Sequence, residues 1–247
     1  MQFPLSYILH LADNNLILAQ RNGDWCGHSP ILEQDIAITN ITLDVLGQAR
    51  MFYQYAAEIS NAKSDNNIVT EDTLAYLRKE NEFKNCLLVE QPNGDWAQTL
   101  LKQYLFSQFQ FFLYEELSKS NDERIAAIAV KSLKEISYHV KWSSEWVLRL
   151  GDGNAESHER MKNAIDTLWM YTGEMFLPAS YETFADLNTI REKWMHAVQE
   201  IFEEATLSIP ENTFMQTGGK NGVHTEYLGF LLTDLQYLQR TYPNAEW

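Results

Sequence analysis

Two long stretches of the sequence place apolar residues three and four positions apart, the spacing of one face of an α-helix. They cover residues 33–60 and about 122–150. In the first stretch, the polar Gln48 occupies the one position of the stripe that is not apolar. The first stripe comprises Ile38, Ile41, Val45, Phe52, Tyr55 and Ile59, and the second comprises Ala129, Leu133, Ile136, Val140, Ser143, Val147 and Leu150. No segment alternates convincingly as a half-buried strand would, so the chain is predicted to be all-α.

Capping and turn residues divide the rest of the chain into further helices. Asp95 is predicted to cap one helix, Asn121 or Asp122 to begin the next, and Gly151 to end it. The predicted helices cover residues 5–21, 33–60, 71–79, 82–90, 95–118, 122–150, 158–176, 188–207 and 225–241. No low-complexity linker or abrupt change of charge separates them. We therefore predict a single all-α domain over residues 1–247.

The charge balance excludes several classes of partner. The chain has 19 Lys and Arg residues against 34 Asp and Glu, a net charge of -15. This charge repels nucleic acid and anionic lipid, and no apolar run approaches the roughly 18 residues that span a bilayer. Cys26 and Cys86 are too few for a disulfide framework, and the N-terminal residues lack a signal-peptide pattern. We expect a cytoplasmic protein that binds neither nucleic acid nor a membrane.

The stretch KEISYH, residues 134–139, nearly matches a metal-binding signature. Ferritin-like di-iron proteins use Glu-x-x-His from each of two helices and a single Glu from each of two others. His139 occupies the histidine position, but Ile136 stands where the glutamate belongs. The stretch DVLGQA, residues 44–49, is a second near match, with Val45 and Gln48 in the ligand positions. Asp44 is expected to point to another face, because one residue is about 100° of helix rotation.

Two other groups resemble metal ligands less closely. Glu135 and His139 lie four residues apart and can meet on one helix face. Without visible companions they are predicted to be a surface or half-buried pair rather than a metal site. Cys26 and His28 lack a second pair of ligands, so the loop GDWCGHSP is predicted to carry them incidentally rather than to bind zinc.

Several longer stretches carry a family resemblance. They are LADNNLILAQRNGDWCGHSP, LDVLGQAR, LLVEQPNGDWAQT, KEISYH, TGGKNGVHTEYLG and LQYLQR, and the match runs from about Leu11 to Trp247. They resemble the C-subunit family of the phenylacetyl-CoA epoxidases of bacterial phenylacetate degradation. The resemblance implies a ferritin-like member of a multicomponent monooxygenase. In such systems the related catalytic A-type subunit holds the di-iron centre and the CoA-substrate pocket, and the resemblance implies further subunits and a reductase.

The residues and the resemblance together predict a lost metal site. In the family pattern, each single Glu ligand lies roughly 30 residues before its Glu-x-x-His. Counting back from Val45 lands on residues 13–15, and counting back from Ile136 lands near Phe106. Only His139 matches a ligand in type and position, with Asp13 as the other candidate. We expect no cofactor in this chain and a di-iron centre in the catalytic partner.

A second functional hypothesis stays open at this stage. Asp13, Asp44, Glu135 and His139 could form a non-standard cluster in a self-sufficient ferritin-like oxidoreductase that binds metal. The sequence therefore does not decide whether the chain is catalytic by itself.

Two features are candidate partner contacts. Phe109, Phe111, Phe112 and Tyr114 cover more than one helix face, and core packing or burial against another protein both explain them. Phe111 and Phe112 are the predicted contacts. The loop TGGKNGVHTE, with Lys220, is predicted to be structural or to touch a partner protein. Because its glycines expose backbone N–H groups, contact with CoA phosphates is the alternative.

Overall fold

The computed structural model describes residues 3–62, 68–243 and 245, and within them every regular element is helical. The longer helices are α1 (Leu5–Gly23), α2 (Leu32–Asn61), α3 (Glu71–Tyr76), α4 (Leu87–Glu90), α5 (Trp96–Leu117), α6 (Glu123–Gly151), α7 (Ala155–Leu168), α8 (Leu187–Glu204), α9 (Glu226–Leu235) and α10 (Tyr237–Thr241). Short 3₁₀ turns cover residues 80–82, 169–171, 173–176 and 219–221. The all-α prediction is confirmed. In the described part of the chain, no helix is long and apolar enough to cross a membrane.

Four long helices, α1, α2, α5 and α6, form the central bundle. The hairpin pairs α1–α2 and α5–α6 make the most extensive contacts, and α2 also packs on α6. Hydrogen bonds join Gln48 to Glu135 and Tyr55 to Asp122, so α2 and α6 run antiparallel. The connection from α2 to α5 therefore crosses the bundle instead of closing a tight hairpin. This is the ferritin-like arrangement, with the C-terminal helices added around α5.

The two apolar stripes predicted from the sequence meet inside this bundle. Every member of the α2 stripe is buried, including Gln48. On α6, Ala129, Ile136, Ser143 and Val147 are buried, while Leu133, Val140 and Leu150 are half-buried. The buried face of α6 is therefore rotated slightly from the predicted stripe.

The caps at Asp95 and Asp122 are confirmed, but the predicted helix over residues 82–90 is wrong. Only α4 is helical there, after a segment with extended backbone around Phe83. The backbone N–H groups of Lys84, Cys86 and Leu87 donate to the side chains of Asp13, Asn14 and Glu174. Because distant side chains accept these bonds, the backbone does not need helical partners there.

Three later boundaries also differ from the predictions. The helix predicted to end at Phe176 gives way to 3₁₀ turns after Leu168. Helix α8 ends at Glu204, three residues before the predicted end at Leu207. The predicted helix 225–241 is divided into α9 and α10 by a turn at Gln236.

Asp122 links the start of α6 to α2. Its Oδ1 accepts from the backbone N–H groups of Arg124 and Ile125, and its Oδ2 accepts from the Tyr55 hydroxyl at 2.6 Å. We expect Asp122→Ala to lower the free energy of unfolding by about 2 kcal/mol, since a cap and a side-chain hydrogen bond are lost together. Urea unfolding measures the change.

Asp186 provides the matched control, because it caps α8 in the same way and also accepts from a hydroxyl, that of Thr189 at 2.8 Å, but both residues are exposed. The exposed hydroxyl bond contributes little, since water can replace it. Asp186→Ala is expected to cost about 1 kcal/mol. Equal losses in the two variants would contradict the structural role assigned to the Tyr55 contact.

Candidate functional site

The four positions predicted to be degenerate metal ligands lie together in the bundle. Val45 and Gln48 come from α2, and Ile136 and His139 come from α6. All four are 0% exposed. The Gln48 amide donates to Glu135 Oε2 at 2.9 Å, so the two helices are joined across these positions.

The structure corrects two expectations about this group. Asp44 was expected to point away, but its Oδ2 lies 3.1 Å from His139 Nε2. Asp44 is four residues before Gln48, so both side chains lie on the side of α2 that faces α6. His139 was expected to be exposed or half-buried, and it is fully buried, whereas Glu135 is half-buried.

On the opposite side of the interior, α1 and α5 are joined by neutral groups. Gln110 Nε2 donates to Asn15 Oδ1 at 2.8 Å, and Asn15 Nδ2 donates to the Tyr114 hydroxyl at 3.0 Å. Burial raises the pKa of Tyr114, and the charge of Glu135 raises it further. Tyr114 is therefore a neutral phenol at physiological pH. The groups that join α1 to α5 here are thus two amides and a phenol, none of which carries a charge.

Several polar atoms in this interior have no hydrogen-bond partner among the described residues. They are Gln48 Oε1, Gln110 Oε1, Ser132 Oγ and His139 Nδ1. Neutral amide and hydroxyl oxygens do not replace the several carboxylates and imidazoles on which oxygen-activating iron sites depend. Within residues 3–62, 68–243 and 245, no group of three or more His, Cys, Asp or Glu side chains is arranged to hold a metal ion.

Asp13 is engaged elsewhere. Its carboxylate accepts from both terminal nitrogens of Arg78, from the Tyr53 hydroxyl at 2.6 Å and from the backbone N–H of Lys84 at 2.8 Å. The Arg78 guanidinium also lies 4.2 Å from the centre of the Phe83 ring. A buried carboxylate with this many donors is a structural anion. It is not available to complete a cluster with Asp44, Glu135 and His139.

The loop with Lys220 does form an anion cradle, but a carboxylate of the same chain fills it. The backbone N–H groups of Gly218 and Lys220 donate to Glu174 Oε1 at 2.7 and 3.3 Å. The Lys220 ammonium points inward, where Glu182 and two backbone carbonyls accept its protons. Lys220 is only 2% exposed. The loop therefore has the structural role that was one of its predicted roles, and the contacts of Lys220 with a partner or with CoA phosphates stay predictions that its burial does not favour.

Glu90 is held by the residues just after that loop. Its Oε1 accepts from the backbone N–H and the hydroxyl of Thr225, and its Oε2 lies 2.8 Å from His224 Nδ1. The other ring nitrogen of His224 donates to the carbonyl of Phe83 at 3.0 Å. Burial lowers the pKa of His224, but the bond to Glu90, its charge and the Phe83 carbonyl together raise it above the ordinary value.

The two remaining predicted groups, Phe111 with Phe112 and Cys26 with His28, are half-buried or exposed. Phe111 and Phe112 are half-buried and pack edge to face at 5.5 Å, with the Lys193 ammonium 5.9 Å from the Phe112 ring. The contact of Phe111 and Phe112 with a partner stays a prediction. Cys26 and His28 are exposed, and Nδ1 of His28 lies 3.1 Å from the Cys26 carbonyl oxygen.

Comparison with known proteins places this arrangement in a family. The model of a family described as phenylacetic acid catabolic protein matches residues 2–247. The chain belongs to the phenylacetic acid catabolic protein family. It is also 45% identical to the C subunit of 1,2-phenylacetyl-CoA epoxidase of Escherichia coli (strain K12) over 249 residues, which cover 98% of each chain. The family resemblance seen in the sequence motifs is confirmed.

Sequence reasoning missed part of the interior of this family member. Asn15 lies within the range reached by counting back from Val45, and Gln110 lies one helical turn after Phe106. A signal for Gln110 was its position between the aromatic residues Phe109 and Phe111, where an amide that becomes buried needs a partner. No local pattern indicated that Asn15 is that partner, because the two residues are 95 positions apart.

We expect Ile136→Glu to lower the free energy of unfolding of this family member by at least about 3 kcal/mol, since it buries a carboxylate without a cation. Urea unfolding monitored by circular dichroism measures the loss. Val130→Glu on the same helix is the control, because Val130 is 52% exposed. It should change stability by about 0.5 kcal/mol or less. Similar losses in both variants would show that Ile136 does not lie in the core.

His224 should make stability depend on pH. Because its folded pKa lies above the ordinary value of about 6.5, its stabilising contribution is fully present below pH 6.5 and is lost as pH rises through the folded pKa. Urea unfolding of the parent and His224→Gln from pH 6 to pH 9 should show a difference that shrinks with rising pH. A difference that grows with pH would show that His224 is buried as a neutral ring.

Proposed function

We propose that the chain is a non-catalytic structural subunit of a phenylacetyl-CoA epoxidase, in which it pairs with and supports the di-iron catalytic subunit. The observation that carries the proposal is the composition of the bundle interior. Val45 and Ile136 supply hydrocarbon, and Gln48 supplies a neutral amide, at positions where metal ligands are expected. These residues do not fit a di-iron centre.

The way the interior is held together supports a role as a scaffold. Gln48–Glu135 and Asp44–His139 join α2 to α6, and Asn15–Gln110 joins α1 to α5. These contacts link the same four helices that a metal pair holds together in a di-iron protein. The chain thus keeps the bundle rigid by hydrogen bonds between its own side chains.

A rigid partner is useful to a catalytic subunit because ligand positions are sensitive to helix spacing. Displacements of about 1 Å in a preorganised site cost on the order of 10²-fold in rate. The Escherichia coli relative is by its name one part of an epoxidase, so partner subunits are implied for this chain as well. We propose the related catalytic A-type subunit as the direct partner, with further subunits and a reductase in a larger cytoplasmic complex.

One observation favours a second function. Asp44 and His139 are in contact, and Glu135 lies one turn from His139. These three side chains would be the starting ligands of a self-sufficient metal-binding oxidoreductase. Each carboxylate already accepts a hydrogen bond or contacts the histidine, and Asp13 is paired with Arg78. The scaffold is therefore the better supported function.

Co-expression with the catalytic subunit tests the proposal. Without this chain, we expect the catalytic subunit to be poorly soluble or nearly inactive towards phenylacetyl-CoA with its reductase, and addition of this chain to restore activity. This chain alone should be inert, because it lacks the ligands for an oxygen-activating metal. Product formation from phenylacetyl-CoA is the measurement.

Metal analysis of the same preparations is the control. Expressed with excess iron, this chain should carry well under one iron per molecule, while the complex should carry the iron of the catalytic subunit. Stoichiometric iron in this chain alone would favour the second function. Full activity of the reductase and the catalytic subunit without this chain would refute the scaffold role.

A further inference from the structure

The outer side of α6 is unusually basic for this chain. Five exposed basic residues lie on α6: Arg124, Lys131, Lys134, Lys141 and Arg149. Arg124 and Arg149 pair with Glu58 and Glu145. In the described part of the chain, no carboxylate forms an ion pair with any of the three lysines. Exposed Glu123 and Glu145 lie on the same helix, so exposed basic residues outnumber exposed acidic ones there by five to two, in a chain with net charge -15.

An exposed apolar row, interrupted by the exposed Asn40, runs along the outer side of the neighbouring helix α2. Leu32 is 69% exposed, Ile36 is 53% exposed and Leu43 is 60% exposed, and these residues follow one helix face at steps of four and seven. Gly47 continues the row, and a Cβ added there would meet no other atom within 4 Å. A glycine at an exposed position inside a helix costs about 1 kcal/mol relative to alanine, and its missing side chain permits a close approach by another backbone.

The two rows form one continuous surface, which we call the α2–α6 face: Leu32, Ile36, Leu43 and Gly47 on α2 with Lys131, Lys134, Tyr138 and Lys141 on α6. Lys131 Nζ lies 3.8 Å from Met51 Sδ, and the Asp44–His139 contact holds the helices together beside Leu43 and Tyr138. Tyr138 is 47% exposed and adds an aromatic ring between the lysines and the apolar row.

The defined face covers part of a standard protein interface. Its apolar row spans residues 32–47, about 24 Å of helix, and two packed helices present a strip roughly 20 Å wide. The resulting area, on the order of 500 Å², is more than half of the roughly 800 Å² that each partner contributes to a standard interface.

We infer that the α2–α6 face is the docking surface for an acidic and apolar helical face of the catalytic partner. The inference rests on the proposed function and adds to it the surface and the chemistry of the partner. Leu32, Ile36 and Leu43 supply the apolar centre of the contact, and the lysines supply a positive border. Complementary charge at such a border speeds association and selects the partner.

The same charges disfavour a second copy of this chain as the occupant. In a two-fold symmetric dimer the same patch lies on both subunits, so the α2–α6 face would meet itself. Lys131, Lys134 and Lys141 would then face a second row of lysines across the contact. Like charges brought together in this way cost free energy, so a partner with carboxylates at the facing positions fits better.

The test compares two double charge reversals on the full-length chain. Lys134→Glu/Lys141→Glu changes the α2–α6 face, and Lys79→Glu/Lys162→Glu makes the same change in net charge at two exposed lysines, one before the first 3₁₀ turn and one on α7. The dissociation constant with the purified catalytic subunit is measured at about 50 and 300 mM salt. We expect at least about tenfold weaker binding for the first variant and less than about threefold for the second. The affinity of the first variant should also fall less with salt than that of the parent.

Leu43→Asp tests the apolar row, with Phe230→Asp on α9 as its control because Phe230 is 66% exposed. Circular dichroism and thermal unfolding establish that each variant is folded. We expect Leu43→Asp to weaken binding at least about tenfold and Phe230→Asp to leave it nearly unchanged. Gly47→Leu should weaken binding while leaving the free chain at least as stable, because leucine has the higher helix propensity.

The possible outcomes separate this inference from the proposed function. If the parent chain does not bind the catalytic subunit, the proposed function fails. If the parent binds and the folded variants on the α2–α6 face bind equally well, the docking surface lies elsewhere and only this inference fails. If the parent alone is a dimer that Leu43→Asp converts to a monomer, the face joins two copies of this chain and the inference is overturned.

Discussion

The structure depends on balancing buried charges within the chain. Asp13 is paired with Arg78, and Glu90 with His224. An isolated buried carboxylate is costly, so each of these groups fixes the position of the segment that supplies its partner. The pairs fasten the crossover before α5 to α1 and to the loop before α9. The need to pair buried charges therefore fixes where the crossover before α5 and the loop before α9 pack on the bundle.

The central bundle solves a related problem with neutral groups. A di-iron protein holds several buried carboxylates because the metal ions neutralise them. Without the metal, carboxylates at these positions would repel one another and lose solvation. Under the proposed function, Val45, Ile136 and the amides of Gln48 and Gln110 would remove that charge while they fill the space or join helices. The fold would then be retained by a change of interior chemistry.

The sequence predicted the helices and both stripes because each depends on residues three and four apart. It also located Val45, Gln48, Ile136 and His139, since their spacing on two helices follows a known pattern. It did not predict the Asp44–His139 contact or the contact of Glu90 with His224, whose partners are 95 and 134 residues apart. Such pairs depend on how helices and loops meet, and local periodicity carries no information about that.

The same reasoning explains why the sequence did not decide between the predicted roles of the loop with Lys220. Its glycines and its lysine form an anion cradle, and the chemistry of that prediction was correct. The anion is Glu174 of the same chain, 46 residues from Lys220. A cradle already filled by an internal carboxylate stabilises the fold and leaves no place for a phosphate. A basic residue is available to a partner when no carboxylate of the described residues pairs with it. Lys131, Lys134 and Lys141 of α6 meet that condition, and they lie beside the exposed apolar row of α2.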